Sequence, residues 1–250
     1  ATVMTVLIAV VTTVVITGTN NDMIRSARAI FAPVADVDVW VSANSPDRYP
    51  TDVLPQGLTE KVAAVPGVAN VVEGASGFAV IGGTRVMLDG FSPGTHDPLF
   101  RALDERVRHD VLAGRGVVLS QNLGKTLGVR VGDELELQTP HGPQRTPVLA
   151  LVPYFSTVIG TVGMSLERMR AWFDRPGTTT LQVTAVEGAD RGQLLAGVRG
   201  VVPAPNYVYD GRTALAGLEA PLHQSMLIAN AVWIIVVFVA AVALLNTLTL

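Results

Sequence analysis

The chain has 250 residues, a formal net charge of −3 from 18 Lys and Arg against 21 Asp and Glu, and no cysteine. The missing cysteines exclude disulfides and cysteine-based metal or redox sites. The lack of any basic stripe with interleaved aromatics excludes nucleic acid as a partner.

Charge is distributed unevenly. Every Lys, Arg, Asp and Glu lies between Asp22 and Glu219, and the two ends are uncharged apolar runs that account for the mean hydropathy of +0.41. A run of roughly 20 apolar residues is long enough to cross a bilayer as a helix. Residues 1–20 are therefore expected to form a first membrane helix and 213–250 an approach helix leading into a second, both cut short at the chain ends. Thr5, Ala9, Thr13 and Thr17 recur every fourth residue in the first run. Such a stripe of small and hydroxyl side chains lets membrane helices pack closely, unless the threonines are merely tolerated against lipid.

Residues 21–33 read as a helical extension that Pro33 stops. Val37, Val39 and Val41 alternate with Asp36, Asp38 and Trp40, a half-buried strand with Trp40 on its outer side. The proline-rich stretch from Ser42 to Pro55 reads as a loop. Leu58, Val62 and Val65 then share a helix face that Pro66-Gly67 ends. Strands follow at Val68–Val72, Phe78–Ile81 and Thr84–Leu88, the last two joined by a Gly82-Gly83 hairpin turn. Asp97-Pro98 provides the N-cap and first residue of a helix that uses Leu99, Leu103 and Val107.

Val117–Leu119 reads as a short strand and Gln121–Leu127 as a helix closed by Gly128. After a turn at Gly132-Asp133, Leu135 and Leu137 point inward between Glu134 and Glu136. Pro140–Pro143 reverses the chain into Pro147–Val152. A Gly-rich loop, Tyr154–Gly163, leads to a helix over Ser165–Phe173. Then come a strand at Thr179–Val186, a helix at Asp190–Val198 and an extended stretch at Val201–Tyr209. The fold class expected is an α+β extracytoplasmic domain over 34–212, a mixed βαβ-type core with inserted hairpins and two subdomains, flanked by two transmembrane helices.

No catalytic, cofactor or metal set emerges. Gly124-Lys125-Thr126 resembles the end of a phosphate loop, but Leu119 stands where its first glycine is required. Gly114-Arg115-Gly116 lacks the third glycine of a dinucleotide loop, and Gly74-Ala-Ser76-Gly77 lacks the spacing of a nucleophile elbow. The four histidines, His96, His109, His141 and His223, show no pairing suited to zinc.

Three stretches, in order, carry a family resemblance: Leu58–Val71, with its short helix ending in Pro66-Gly67-Val68; Val86-Met-Leu-Asp-Gly-Phe91; and Gly114–Leu137, running from Gly114-Arg-Gly-Val-Val-Leu-Ser120 to Val131-Gly-Asp-Glu-Leu-Glu-Leu137. Together they resemble the extracytoplasmic core of the FtsX-like / MacB-like permeases of ABC transporters, which lies between the first and second membrane helices. Ala243-Leu-Leu-Asn246-Thr-Leu-Thr-Leu250 is similar to that second helix.

The resemblance implies a non-enzymatic permease in the bacterial plasma (inner) membrane, with about residues 22–219 on the extracytoplasmic side. It implies no cofactor on this chain, ATP-Mg on a separate cytoplasmic ATP-binding cassette ATPase, and a second permease copy or half. Membrane lipid and an extracytoplasmic accessory protein are the other partners it suggests. The expected output is mechanical: export or extraction of lipid, lipoprotein, peptide or drug. Ala243, Asn246 and Thr247 join the threonine stripe as helix-packing candidates. A membrane-anchored sensor or interaction module is the alternative that the residues leave open.

Overall fold

The computed structural model describes residues 25–26, 28–154 and 160–248. They fall into two compact units, Ile30–Leu218 and the described residues outside it.

Among the described residues, nine strands build the unit Ile30–Leu218: β1 (Val39–Ser42), β2 (Val68–Ile81), β3 (Thr84–Phe91), β4 (Val117–Ser120), β5 (Glu134–Thr139), β6 (Gly142–Val152), β7 (Thr161–Ser165), β8 (Thr180–Ala185) and β9 (Tyr207–Tyr209). They form one mixed sheet in the order β5-β6-β4-β7-β3-β2-β8-β1-β9. Only β3 with β7 and β4 with β6 are parallel; the other neighbours are antiparallel. The helices are α1 (Leu58–Ala63), α2 (Pro98–Arg101), α3 (Glu105–Leu112), α4 (Gln121–Leu127), α5 (Leu166–Phe173), α6 (Arg191–Val201) and α7 (Gly211–Leu248), with a 3-10 helix at Ala32–Asp36.

β2 holds the sheet together. Residues 68–74 pair with β8 and residues 75–81 with β3, so one strand belongs to two lobes. Side chains alternate along each strand, and both faces of the sheet are covered. On one face α1 and α6 pack over Val39, Val41, Leu181 and Val183, and α4 and α5 pack near Val86, Leu88, Val117, Leu119, Val162 and Met164. On the other face α2 and α3 meet Phe91, Val118 and Val152. The 3-10 helix and the start of α7 meet Trp40 on that same face.

The local signals act where the sequence placed them. Gly82 and Gly83 take φ of 55° and 78°, both in the left-handed region that a two-residue hairpin turn requires. Asp97 Oδ1 accepts from Leu99 N at 2.8 Å and Phe100 N at 3.2 Å, capping α2.

Five expectations need correction. Trp40 is buried, because β1 is interior and its second face packs on Val34, Val37 and Ala214. Val68–Val72 and Phe78–Ile81 are one strand, since the small residues between them stay extended where the chain passes from β8 to β3. The helix after Asp97 breaks at Ala102 and restarts with Asp104 as an extended N-cap, which turns Val111 inward. Finally, 201–209 is extended only at β9, α6 running on to Val201. The loop expected at Tyr154–Gly163 gives way to β7 at Thr161, and 155–159 lie outside the described residues.

α7 begins where Asp210 Oδ1 accepts from Thr213 N at 2.8 Å. It is continuous over 38 residues. Beyond Glu219 it exposes Leu227, Ile228, Ile234, Ile235, Phe238 and Val239, among others. Among the described residues, no helix is long and apolar enough to cross a membrane. The first of the two expected spans lies outside the described residues, and the second is described only in part.

Gly163 on β7 shows how tightly the parallel part of the sheet is closed. A Cβ there would lie 2.4 Å from the Phe91 ring and 2.9 Å from Val118 Cγ2. Gly163→Ala is expected to cost about 1–3 kcal/mol of stability by overpacking. Gly200→Ala in α6, where a Cβ meets nothing within 4 Å, should gain up to about 1 kcal/mol from helix propensity. Equilibrium urea unfolding of both variants, followed by tryptophan fluorescence, reads the two signs.

Candidate functional site

The site with the most chemistry is a cavity of about 120 Å³ within the unit Ile30–Leu218, on the sheet face that carries α2 and the start of α7. Strand alternation decides its floor. Leu181 and Val183 of β8 point to the α1/α6 side, so Thr180 and Gln182 point into the cavity. The same alternation turns Leu88 away and Asp89 inward on β3, and Ala75 away and Ser76 inward on β2. Trp40, Tyr49, Tyr154 and Tyr209 form the aromatic part of the lining.

Hydrogen bonds tie much of the polar floor to its surroundings. Gln182 Oε1 accepts from the His96 backbone N at 2.7 Å, and its Nε2 donates to Thr95 Oγ1 at 3.1 Å, pinning the loop before α2 to β8. Trp40 Nε1 donates to the Val34 carbonyl at 3.0 Å. Ser76 Oγ bonds Asp89 Oδ1 at 2.7 Å. Asp89 is only 4% exposed, yet its Oδ2 has no hydrogen-bond partner among the described residues. Leaving a buried polar atom unmatched costs on the order of 1–3 kcal/mol.

Burial and the nearby charge of Asp97 push the Asp89 carboxyl well above the usual carboxylate range, against the opposing bond from Ser76. Burial likewise raises Asp97 to about 6, the amides of Phe100 and Leu99 opposing it. Tyr154 and Tyr209 are raised chiefly by burial, Tyr209 to about 12.

A second constellation lies on the opposite sheet face, where β2 crosses between lobes. Arg170 Nη2 of α5 donates to Glu73 Oε2 at 2.8 Å and to Thr178 Oγ1 at 3.0 Å, and Thr59 Oγ1 donates to Glu73 Oε1 at 2.6 Å. Burial raises the Glu73 carboxyl, but the bonds from Thr59 and Arg170 and the Arg170 charge outweigh it, and the net shift is downward. This network ties α1, β2 and α5 together.

In the other compact unit, Arg28 grips Glu219 of α7 in a fork, Nε to Oε1 at 2.8 Å and Nη2 to Oε2 at 2.9 Å. The Glu219 side chain is 9% exposed and that of Arg28 60%. This bidentate geometry is the most directional form of the carboxylate–guanidinium pair.

Thr5, Ala9, Thr13 and Thr17 lie outside the described residues, and Ala243, Asn246 and Thr247 fall in the last turns of α7, their side chains outside the description. Among the described residues no three His, Asp or Glu side chains are grouped to hold a metal ion. Sequence reading passed over Asp89, although a lone carboxylate inside the apolar run Val86–Phe91 was a usable signal. Ser76, Gln182 and Trp40 gave none, because only the strand pairing brings them to Asp89.

The two raised aspartates have a defined effect on stability. Their folded pKa exceeds the unfolded value, so the native state holds more protons between them. Their contribution is complete below about pH 4 and is lost as pH rises through about 6 for Asp97. Glu73 acts in the opposite sense, its contribution being lost as pH falls through its depressed pKa. Asp97→Asn keeps a capping side chain but should abolish the loss, leaving the variant more stable than the parent by on the order of 1–3 kcal/mol above pH 6 and equal to it below pH 4. Urea unfolding across pH 4–7 measures the difference.

The comparisons with known proteins agree with the sequence resemblance. The family described as MacB-like periplasmic core domain matches residues 1–201. A comparison with curated proteins finds no match. Among solved structures, the chain is similar to the extracellular domain of the noncanonic ABC-type transporter YknZ from Gram-positive bacteria, at 13% identity over 69% of this chain and 98% of that one, with a TM-score of 0.47. It is also similar to the periplasmic region of MacB from Actinobacillus actinomycetemcomitans, at 13% identity over 74% and 94% of the two chains, again with a TM-score of 0.47. With most of its length matched, the chain belongs to the MacB-like periplasmic core domain family.

Proposed function

We propose that the chain is part of a permease subunit of an ATP-driven ABC transporter of the FtsX/MacB type, and that it transmits ATPase-driven motion to its extracytoplasmic domain. The observation that carries the reading is the match of residues 1–201 to the MacB-like periplasmic core domain family, in a chain whose two ends are uncharged apolar runs. Beyond Glu219, α7 exposes an apolar stretch. The Arg28–Glu219 fork ties the descending chain to the same helix, so the two ends move as a pair.

In this reading the apolar ends lie in the bacterial plasma membrane, with about residues 22–219 outside the cytoplasm. Lipid surrounds the helices, and a second permease copy or half completes the transporter. An accessory protein of the envelope docks on the domain. The chain performs no chemistry: ATP-Mg is bound and hydrolysed on a separate cytoplasmic ATPase. The cargo class is lipid, lipoprotein, peptide or drug. The stripe Thr5, Ala9, Thr13 and Thr17, with Ala243, Asn246 and Thr247, supplies close helix contacts in the membrane.

Reconstitution of the full-length permease with its ATP-binding cassette partner in nanodiscs tests this. ATP hydrolysis should respond to the permease, and a permease that neither binds nor alters any such ATPase sinks the reading. Glu219→Gln, which removes the charge pairing of the fork and leaves one acceptor oxygen, is expected to lower permease-dependent ATPase stimulation about twofold or more. Asn246→Leu should reduce transport per ATP hydrolysed while leaving the domain's unfolding midpoint unchanged.

A further inference from the structure

We propose that the cavity above β2, β3 and β8 is a binding site for a primary alkylammonium group, held by Asp89 as its counter-ion. Asp89 lines the cavity and is only 4% exposed, and its Oδ2, itself closed off from solvent, has no hydrogen-bond partner among the described residues, so it is an acceptor left open. A second carboxylate, Asp97, borders the same space with its Oδ1 engaged by the amides of α2. Two acids in one small, mostly apolar space create a demand for positive charge and N–H donors. Among the lining residues only Arg48 is basic, and it is exposed.

The rest of the lining suits an ammonium group. Trp40, Tyr49, Tyr154 and Tyr209 border the cavity, and aromatic rings attract cations through their negative faces. A volume of about 120 Å³ is near four times the ~30 Å³ that a water molecule occupies in the liquid, which admits an ammonium head with a few carbons and little more. Anions are disfavoured by both carboxylates. Neutral polar ligands would satisfy Oδ2 but leave the charge uncompensated. A quaternary ammonium ion has no N–H to give to Oδ2.

Protons report on the pairing. In the absence of a cation, burial and the charge of Asp97 favour the protonated form of Asp89. Binding an alkylammonium ion converts the carboxylic acid to a carboxylate paired with R–NH3+, and the acid's proton leaves to solvent. The other titratable or charged groups facing the site are Asp97, Arg48, Tyr49, Tyr154 and Tyr209; His96 bonds its floor through Gln182 and is depressed mainly by burial. Asp97 titrates at about 6, so release attributable to Asp89 is best read above pH 7, where Asp97 is already ionised.

The test uses the full chain in nanodiscs of phosphatidylcholine and isothermal titration with ethylammonium chloride at pH 7.5, in two buffers of different ionisation enthalpy. Expected are saturable binding, release of up to one proton per ethylammonium, and weaker binding of tetramethylammonium. Asp89→Asn keeps an acceptor for Ser76 and should weaken ethylammonium about thirtyfold or more, the scale of losing one partner of a buried charge pair. Arg48→Gln, on an exposed side chain, should tighten binding severalfold and guards against a folding defect in the first variant. Nα-acetyl-lysinamide binding tighter than phosphoethanolamine assigns the group to a peptide side chain; the reverse order assigns it to a lipid headgroup. No ethylammonium binding, binding without proton release, or equal affinity in folded Asp89→Asn overturns the proposal.

Discussion

A single strand has to serve two halves of one sheet in this domain. β2 spends its first half beside β8 and its second half beside β3, and each lobe completes its hydrogen bonding only through it. An unpaired strand edge inside a packed protein would strand a row of N–H and C=O groups. β2 therefore fixes the lobes in one register, and helices from both lobes cover it. The Glu73–Arg170–Thr59 network stands at the crossing point and reinforces it with charge on one face. On the other face, the same crossing delivers Ser76 to Asp89.

That second face carries the cavity with the polar floor. The apolar groups around Phe91 and around Trp40 do not merge, and the space between them is the cavity. Its floor is polar because the strands are buried on both sides, yet the residues turned away from α1, α4, α5 and α6 are Thr180, Gln182, Ser76 and Asp89. A core built only for stability would favour apolar residues there. Ala214 and Leu218 of α7 border the same space, so the start of this helix shares a cavity with Asp89.

Much of the fold was legible in the chain because local chemistry decided it. Gly82-Gly83 admits the left-handed turn that ordinary residues resist, Asp97-Pro98 starts a helix, and Ser165 accepts from Arg168 N at the start of α5. Other features were hidden by context. Trp40 reads as the outer residue of an alternating strand until α7 and the 3-10 helix are seen to cover it. Gly74–Gly77 reads as an interruption until its partners on β8 and β3 are known. Asp89 was present in a conspicuous place, a charge within an apolar strand, but nothing local tells whether such a charge is paired, neutralised or open.

By itself, then, the sequence determined the elements, the uncharged ends and the family, since propensity, capping and hydrophobic period act over a few residues and survive in one dimension. Tertiary structure decided which strands pair, that β2 joins two lobes, and that residues 76, 89, 97 and 182 meet around one cavity. Those contacts join positions up to about a hundred residues apart through hydrogen bonds between strands, and strand pairing leaves no mark in the local pattern of either partner.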